Sequence, residues 1–265
     1  MQIQPLLYSD LDSLPQIQPL DWPDLRNTIG FYLQVDYCFS FKVLIDSNLV
    51  GTGTAILHEK TGWLSTIVTH NEYRKQGIGK AITEYLTDFL QKQKCNFIYL
   101  IATALGEPVY AKAGFITESR YDYYGNVDLK TLAISAQLQS YTDDYKQDIF
   151  ELDVSISGED RSQHLESFLK DSFVYLENEK IEGVYFPTFG DGLIVASTTR
   201  AGIELMKKRF QDFNKASFPQ ENRVATEFMV SHGFSPTMTH ARMHFGKQMP
   251  WQATGLYNRV GGNIG

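Results

Sequence analysis

The chain has 265 residues, room for one large domain or two ordinary ones, and 43% of them are hydrophobic, enough for a sizeable core. Its net charge of −7 argues against nucleic-acid binding, because neutralising phosphates needs a basic face. The two cysteines, Cys38 and Cys95, lie far apart and in no metal-ligand spacing, so neither a disulfide framework nor a metal is expected. The start of the sequence lacks a basic segment followed by an apolar one, and no apolar run approaches the roughly 18 residues of a membrane span. A cytoplasmic protein without a membrane contact is the expectation.

In chain order, residues 3–8 read as a short strand, Ser9-Asp10 opens a helical stretch, and Trp22-Pro23-Asp24 opens another that runs to Leu33. Residues 41–45, 50–58 and 63–68 read as three arms of an antiparallel meander, turned at Asp46-Ser47-Asn48 and again at 59–62. Residues 79–94 carry Ala81, Ile82, Tyr85, Leu86, Phe89 and Leu90 on one helical face. The apolar run 96–101 suits a buried central strand. A short helix at 107–113 stops at Gly114, and strand is expected again over 115–124 and 127–133. The polar stretch 137–142 has no period and reads as a linker, dividing the chain into 1–137 and 138–265. Beyond it, 144–152, 158–169, 199–210 and 221–231 read as helices. Residues 173–176 and 181–186 form a hairpin around Asn178-Glu179-Lys180, 193–196 and 237–245 are strands, and the tail 247–265 is unassigned.

The two halves share an order of elements. The clearest echo sets Tyr110-Ala111-Lys112-Ala113-Gly114-Phe115 against Met229-Val230-Ser231-His232-Gly233-Phe234, as an internal duplication would.

The segment from Val68 to Lys80 holds a strand end, a loop with two glycines and a helix start. The first amides of a helix lack partners and its dipole favours an anion there. Gly77 and Gly79 let the backbone approach a bulky phosphate, while Arg74, Lys75 and Lys80 add charge. Arg74-Lys75-Gln76-Gly77-Ile78-Gly79 is neither a Walker loop nor G-x-G-x-x-G, and alone it is equally a turn with a solvated basic rim. The second segment is Leu100-Ile101-Ala102-Thr103-Ala104-Leu105-Gly106-Glu107-Pro108-Val109-Tyr110, leading to Gly114-Phe115.

Together these segments resemble the GNAT superfamily of N-acetyltransferases, with His70 standing where proline is common. The C-terminal half, with Asp153, Arg161, Gly233-Phe234 and Arg242-Met243, is similar to a two-domain subgroup in which a degenerate GNAT-like domain follows the active one. The resemblance implies an α/β (α+β) fold: a mixed, mostly antiparallel sheet flanked by helices, and a second GNAT-like domain. It implies acetyl-CoA as cosubstrate, held by Ile67, Val68, Arg74, Lys75, Gln76, Gly77, Ile78, Gly79, Lys80 and Thr103. Tyr110 stands where the family places its general acid, and the Val68 amide where it places an oxyanion donor. For Thr103 the alternative is a strand-end residue satisfying its own backbone.

The second half has Ala196-Ser197-Thr198-Thr199-Arg200-Ala201-Gly202 where the phosphate loop would be, and Met229 in place of Tyr110, so one catalytic centre is expected. The general base is unassigned, since 63–68 carries no carboxylate; His58, Glu59, a water chain or a group from the second domain are the alternatives. His240 and His244 on a strand would stand roughly 13 Å apart, too far to share an ion. The implied reaction acetylates a small amine or amino-acid-like molecule. A non-catalytic acyl-CoA sensor and a protein acetyltransferase are the alternatives, and the oligomeric state stays open.

Overall fold

A computed structural model describes residues 1–20, 22–262 and 264. The chain divides into two compact units, Met1–Ile116 with Met243–Gln248, and Thr117–Arg242 with Met249–Gly265.

The first unit begins with strand β1 (Gln2–Pro5), a 3-10 helix over Tyr8–Gln16, and helix α1 (Leu25–Tyr32). Asp24 starts α1 by accepting the Arg26 N–H at 2.9 Å. Strands β2 (Cys38–Ile45), β3 (Asn48–His58) and β4 (Thr61–Thr69) form the expected meander. Asp46 and Ser47, both at positive φ, make the two-residue turn between β2 and β3 that matches the twist of the strands. Helix α2 (Ile78–Lys92), strand β5 (Phe97–Ala102) and helix α3 (Glu107–Lys112) follow. The sheet runs β1-β2-β3-β4-β5, antiparallel except for β4 beside β5.

Helix α2 lies close on this sheet because glycines make room for it. A Cβ on Gly53 would stand 2.6 Å from Ile82 and 2.9 Å from Leu86, and one on Gly62 would stand 2.6 Å from Leu90. The face that α2 buries is Ile78, Ile82, Thr83, Leu86, Thr87 and Leu90, whereas Tyr85 is exposed. Phe89 packs on Phe39 and Phe41, with ring centroids 4.9 and 5.3 Å apart. Thr83 and Thr87 join the buried face because they donate their hydroxyls to the carbonyls four residues back, at 2.8 Å each, and so leave no unmet polar group.

The second unit contains β6 (Ile116–Tyr124), β7 (Leu138–Ser140), α4 (Lys146–Ser157), α5 (Ser162–Glu166), β8 (Phe173–Glu177), β9 (Lys180–Phe186), β10 (Leu193–Ala196), α6 (Thr199–Phe210), β11 (Ala216–Pro219), α7 (Arg223–Ser231), β12 (Met238–Gly246) and β13 (Leu256–Asn258). Its five-stranded sheet runs β13-β10-β9-β8-β7, and β12, β6 and β11 lie side by side in that order. Strands β6 and β12 each begin or end at a unit boundary, with Ile116 and Met243–Gly246 in the first unit.

Several expectations change. Residues 127–133 form no strand: Val127 and Leu129 alternate into the core, but the Val127 N–H goes to Asn214 O at 2.8 Å, and burial with period two imitates a strand that has no partner. The polar stretch at 137–142 contains β7, which pairs with β8 from Leu138↔Tyr175 to Ser140↔Phe173. The helix expected at 158–169 shrinks to α5, because Gly158 at φ 79° ends α4. The unassigned tail supplies β13, paired with β10, while Asn263 and Gly265 lie outside the described residues.

The echo between the halves is real at the level of hydrogen bonds. Phe115 N–H donates to Tyr110 O at 3.0 Å around Gly114 at φ 92°, and Phe234 N–H donates to Met229 O at 3.0 Å around Gly233 at φ 84°. Both are left-handed glycine caps of the Schellman type.

Candidate active site

The strand-to-helix loop has the conformation an anion site requires. A 3-10 turn over Asn71–Tyr73 follows His70, whose Nδ1 accepts the Glu72 N–H. Lys75 and Gly77 both sit at positive φ, 64° and 83°. Ala81 N–H donates to Gly77 O at 3.0 Å, so the N–H groups of Ile78, Gly79 and Lys80 lack an intrahelical acceptor. Among the described residues no side chain caps this end of α2. A Cβ on Gly77 would meet nothing within 4 Å, and one on Gly79 would meet only Thr69 and Val109, at 3.6 and 3.7 Å. The protein itself leaves space in front of these amides. Arg74, Lys75 and Gln76 are exposed; Arg74 Nε donates to Thr69 O at 3.4 Å, and Lys80 pairs with Glu84 at 2.9 Å.

The equivalent end of α6 is closed. Thr198 caps it, its hydroxyl accepting the Ala201 N–H at 3.3 Å and donating to Glu182 at 2.7 Å, and a Cβ on Gly202 would stand 2.1 Å from the Tyr257 ring. An end already satisfied in this way offers no comparable anion seat.

Strand β4 opens from its neighbour just before the loop. It pairs with β5 at Thr61, Gly62 and Trp63. Its register against β3 shifts between Thr54↔Ser65 and Thr52↔Val68, so Thr66 and Ile67 together face Gly53, with Thr66 at φ 47°. This is a β-bulge. Leu57 N–H donates to Tyr37 O and His70 N–H to Val50 O. Main-chain groups therefore alternate along β3, odd residues towards β2 and even residues towards β4. By that alternation Ser65 and Val68 bond to β3, and the main-chain groups of Ile67 and Thr69 turn to the open side.

On α3, Tyr110 packs its ring over Gly106, where a Cβ would stand 2.8 Å away, and against Phe115, with centroids 6.4 Å apart. Burial pushes the Tyr110 phenol up to about 12, so it holds its proton at neutral pH. Among the described residues none hydrogen-bonds its hydroxyl. Thr103, just past β5, is exposed and its hydroxyl accepts the Gly106 N–H at 3.2 Å, closing the turn into α3. A Cβ on the loop glycine Gly79 would stand 3.7 Å from Val109, so the start of α2 and the helix bearing Tyr110 lie side by side.

The sequence model of the acetyltransferase (GNAT) family matches residues 8–115, which span the bulge, the loop and Tyr110. A putative acetyltransferase from Pyrococcus horikoshii superposes with a TM-score of 0.85 at 20% identity, covering 100% of this chain and 95% of that one. A tandem GNAT protein from the clavulanic acid biosynthesis pathway gives 0.62 at 12% identity, over 92% and 97% of the two chains. A GNAT protein from Anabaena variabilis gives 0.58 at 10% identity, over 92% and 72%. At these identities the likeness is one of fold, and with two sheets the fold is that of two GNAT-like domains. No curated protein matches the sequence.

The first unit's residues fit a diphosphate-bearing coenzyme: free helix amides, a glycine at positive φ facing open space, and a basic rim. Among the candidates for a base, His58 and Glu59 stand at the turn between β3 and β4, about 20 Å along β4 from the bulge at a strand rise of about 3.3 Å per residue. They are too distant to meet an amine at the opening. Sequence reasoning missed the bulge itself and a buried chain of hydroxyls leading to it: Ser40 Oγ to Thr54 Oγ1 at 2.9 Å, and Thr54 Oγ1 to Thr66 Oγ1 at 2.8 Å. Ser40, Thr54 and Thr66 come one each from β2, β3 and β4, so no local stretch of sequence marks the chain. Among the described residues no group of three His, Cys, Asp or Glu could hold a metal.

Proposed function

We propose that this chain is an N-acetyltransferase that moves an acetyl group from acetyl-CoA to the primary amine of a small or amino-acid-like molecule, by direct attack, at one centre in the first unit. The observation that carries the reading is the conjunction of a bulged β4 parted from β5 with an uncapped, glycine-opened α2 at its end. When bound, acetyl-CoA supplies the activated thioester. The amides of residues 77–80 and the cations Arg74, Lys75 and Lys80 hold its diphosphate, with Gln76 and Ile78 shaping the turn. The open edge of β4 offers main-chain partners to an extended, amide-bearing arm laid along it.

Two groups act on charge. A backbone N–H at the bulge stabilises the developing oxyanion. The resemblance puts Val68 in that role; the strand alternation favours Ile67, whose N–H turns to the open side. Tyr110, protonated at working pH, hands its proton to the departing thiolate. With no carboxylate on β4, the amine loses its proton through water or another group. The alternative of an acyl-CoA sensor draws on that same missing carboxylate. The seclusion of both cysteines as buried free thiols supports a cytoplasmic setting.

A thiol-release screen over amines, amino acids and aminoglycosides tests the proposal. Amine-dependent release of thiol from acetyl-CoA supports it. Calorimetric binding of coenzyme A without turnover on any amine supports the sensor, and no affinity for coenzyme A ends both readings.

A further inference from the structure

The second unit has a buried polar surface that the proposed reaction does not use. In the antiparallel pair of β6 and β11, Ser217 lies opposite Tyr123 and Pro219 opposite Tyr121, so Ser217, Tyr121 and Tyr123 share one face. His240 meets Tyr123 edge-on with ring centroids 6.3 Å apart, and Arg242, two residues on, donates Nη1 to Tyr121 Oη at 3.3 Å. Arg259 arrives from the end of β13. Its N–H donates to Ser217 O at 2.8 Å, and its guanidinium lies 5.9 Å from the centre of the Tyr121 ring.

Polar atoms on this face lack partners. Arg259 Nε and Nη1, Ser217 Oγ and His240 Nδ1 are all buried, and among the described residues none hydrogen-bonds them. Arg259 is only 4% exposed. The charge of Arg242 is met by Glu118 at 2.5 Å, but among the described residues no carboxylate pairs with Arg259. Asp191, the carboxylate that acts on it, is already tied to Lys215 at 2.5 Å. A buried cation and buried donors left in this state are costly, and native interiors avoid them unless something else completes the set.

We propose that this face is a binding site for the carboxylate of a small organic ligand, held by Arg259 with Ser217 and His240 beside it. One unanswered guanidinium calls for one negative charge, and the free donors call for acceptor oxygens; a carboxylate supplies both. A phosphate would bring more charge than one free guanidinium answers. Burial, reinforced by the Arg259 charge, holds His240 down to about 4, so its ring is neutral and free to donate or accept. The site stands apart from the transferase reading and does not depend on it.

The test uses the full chain and sodium formate, with ionic strength held constant by sodium chloride. It reads the thermal unfolding midpoint and the NMR resonances of the His240 ring, assigned by their loss in His240→Asn. The expected result is a saturable rise in midpoint together with a saturable shift of His240, and a weaker response to inorganic phosphate. Ser217→Ala removes one donor and keeps the charge, so the apparent affinity for formate falls roughly tenfold; Arg259→Gln abolishes both responses. Formate that leaves His240 unmoved overturns the proposal and assigns these atoms to ordered water. A formate response unchanged in Ser217→Ala or Arg259→Gln overturns it too, by placing the anion elsewhere, and tighter binding of phosphate overturns the choice of carboxylate. If Arg259→Gln does not fold, Ser217→Ala decides alone.

Discussion

Four residues carry sharp expectations. Tyr110 keeps its proton far above neutrality because burial disfavours the phenolate, so the acid form is present below about 12 and is lost only as pH rises through that value. Accordingly kcat shows no alkaline fall from this group between about pH 8 and pH 10. Tyr110→Phe lowers kcat about 100-fold with little change in the affinity for coenzyme A; steady-state rates and calorimetry separate the two quantities. The loop glycines differ in kind. Gly77 is required by its own backbone at φ 83°, so Gly77→Ala costs about 1–2 kcal/mol of stability even though its Cβ would meet nothing. Gly79→Ala leaves the unfolding midpoint nearly unchanged, since only ordinary contacts await its Cβ, yet weakens coenzyme A binding by crowding the phosphate. In the second unit, Asp153 accepts from Arg161 Nε and Nη2 at 2.8 Å each, with both side chains 1% exposed. Asp153→Ala removes the two-point partner of the guanidinium, leaving Glu159 at 4.0 Å, and costs about 3 kcal/mol in a urea titration. Replacing both partners with apolar residues of similar size recovers much of that loss.

At the scale of elements, α2 and the sheet beneath it show what a periodic pattern conveys and what it omits. The 3.6-residue period located α2 to within two residues, because apolar spacing is a property of the helix alone. It found Ile82, Leu86 and Leu90 on the buried face but missed Thr83 and Thr87, because glycines in β3 and β4 decide which side chains come nearest. Gly53→Ala forces Ile82 and Leu86 aside and destabilises the protein by about 1–3 kcal/mol, measurable as a lower midpoint in chemical unfolding. The bulge in β4 was not legible at all. Thr66 takes φ 47° without being glycine or asparagine, and its hydroxyl is held by Thr54 across the sheet. Such a conformation is imposed by the neighbouring strand, and no local signal announces it. The error at 127–133 has the same root, since a strand needs a partner and a sequence does not show where the partner lies.

At the scale of the whole molecule, the polar stretch read as a boundary at 137 and the compact units do not coincide. The first unit includes Met243–Gln248, from near the other end of the chain. Within it the Phe245 ring packs against Phe115, with centroids 5.5 Å apart, and His244 packs against Tyr99 at 6.3 Å. A fragment ending at residue 137 therefore lacks part of the first unit's core, and is expected to unfold at lower urea concentration, and to be cut faster by protease, than the same residues within the full chain. The sequence by itself determined the order of most helices and strands, the glycine-bearing loop before α2, the position of Tyr110 and the repeated helix-glycine-phenylalanine cap. Each of these is written in residues that are neighbours along the chain, where spacing and glycine placement act directly. Only the tertiary structure decided the bulge, the parting of β4 from β5, the strand lent by the C-terminal half and the unanswered charge of Arg259. Those depend on main-chain and side-chain groups meeting across long separations, and the free energy that fixes them comes from burial and pairing that no local segment contains.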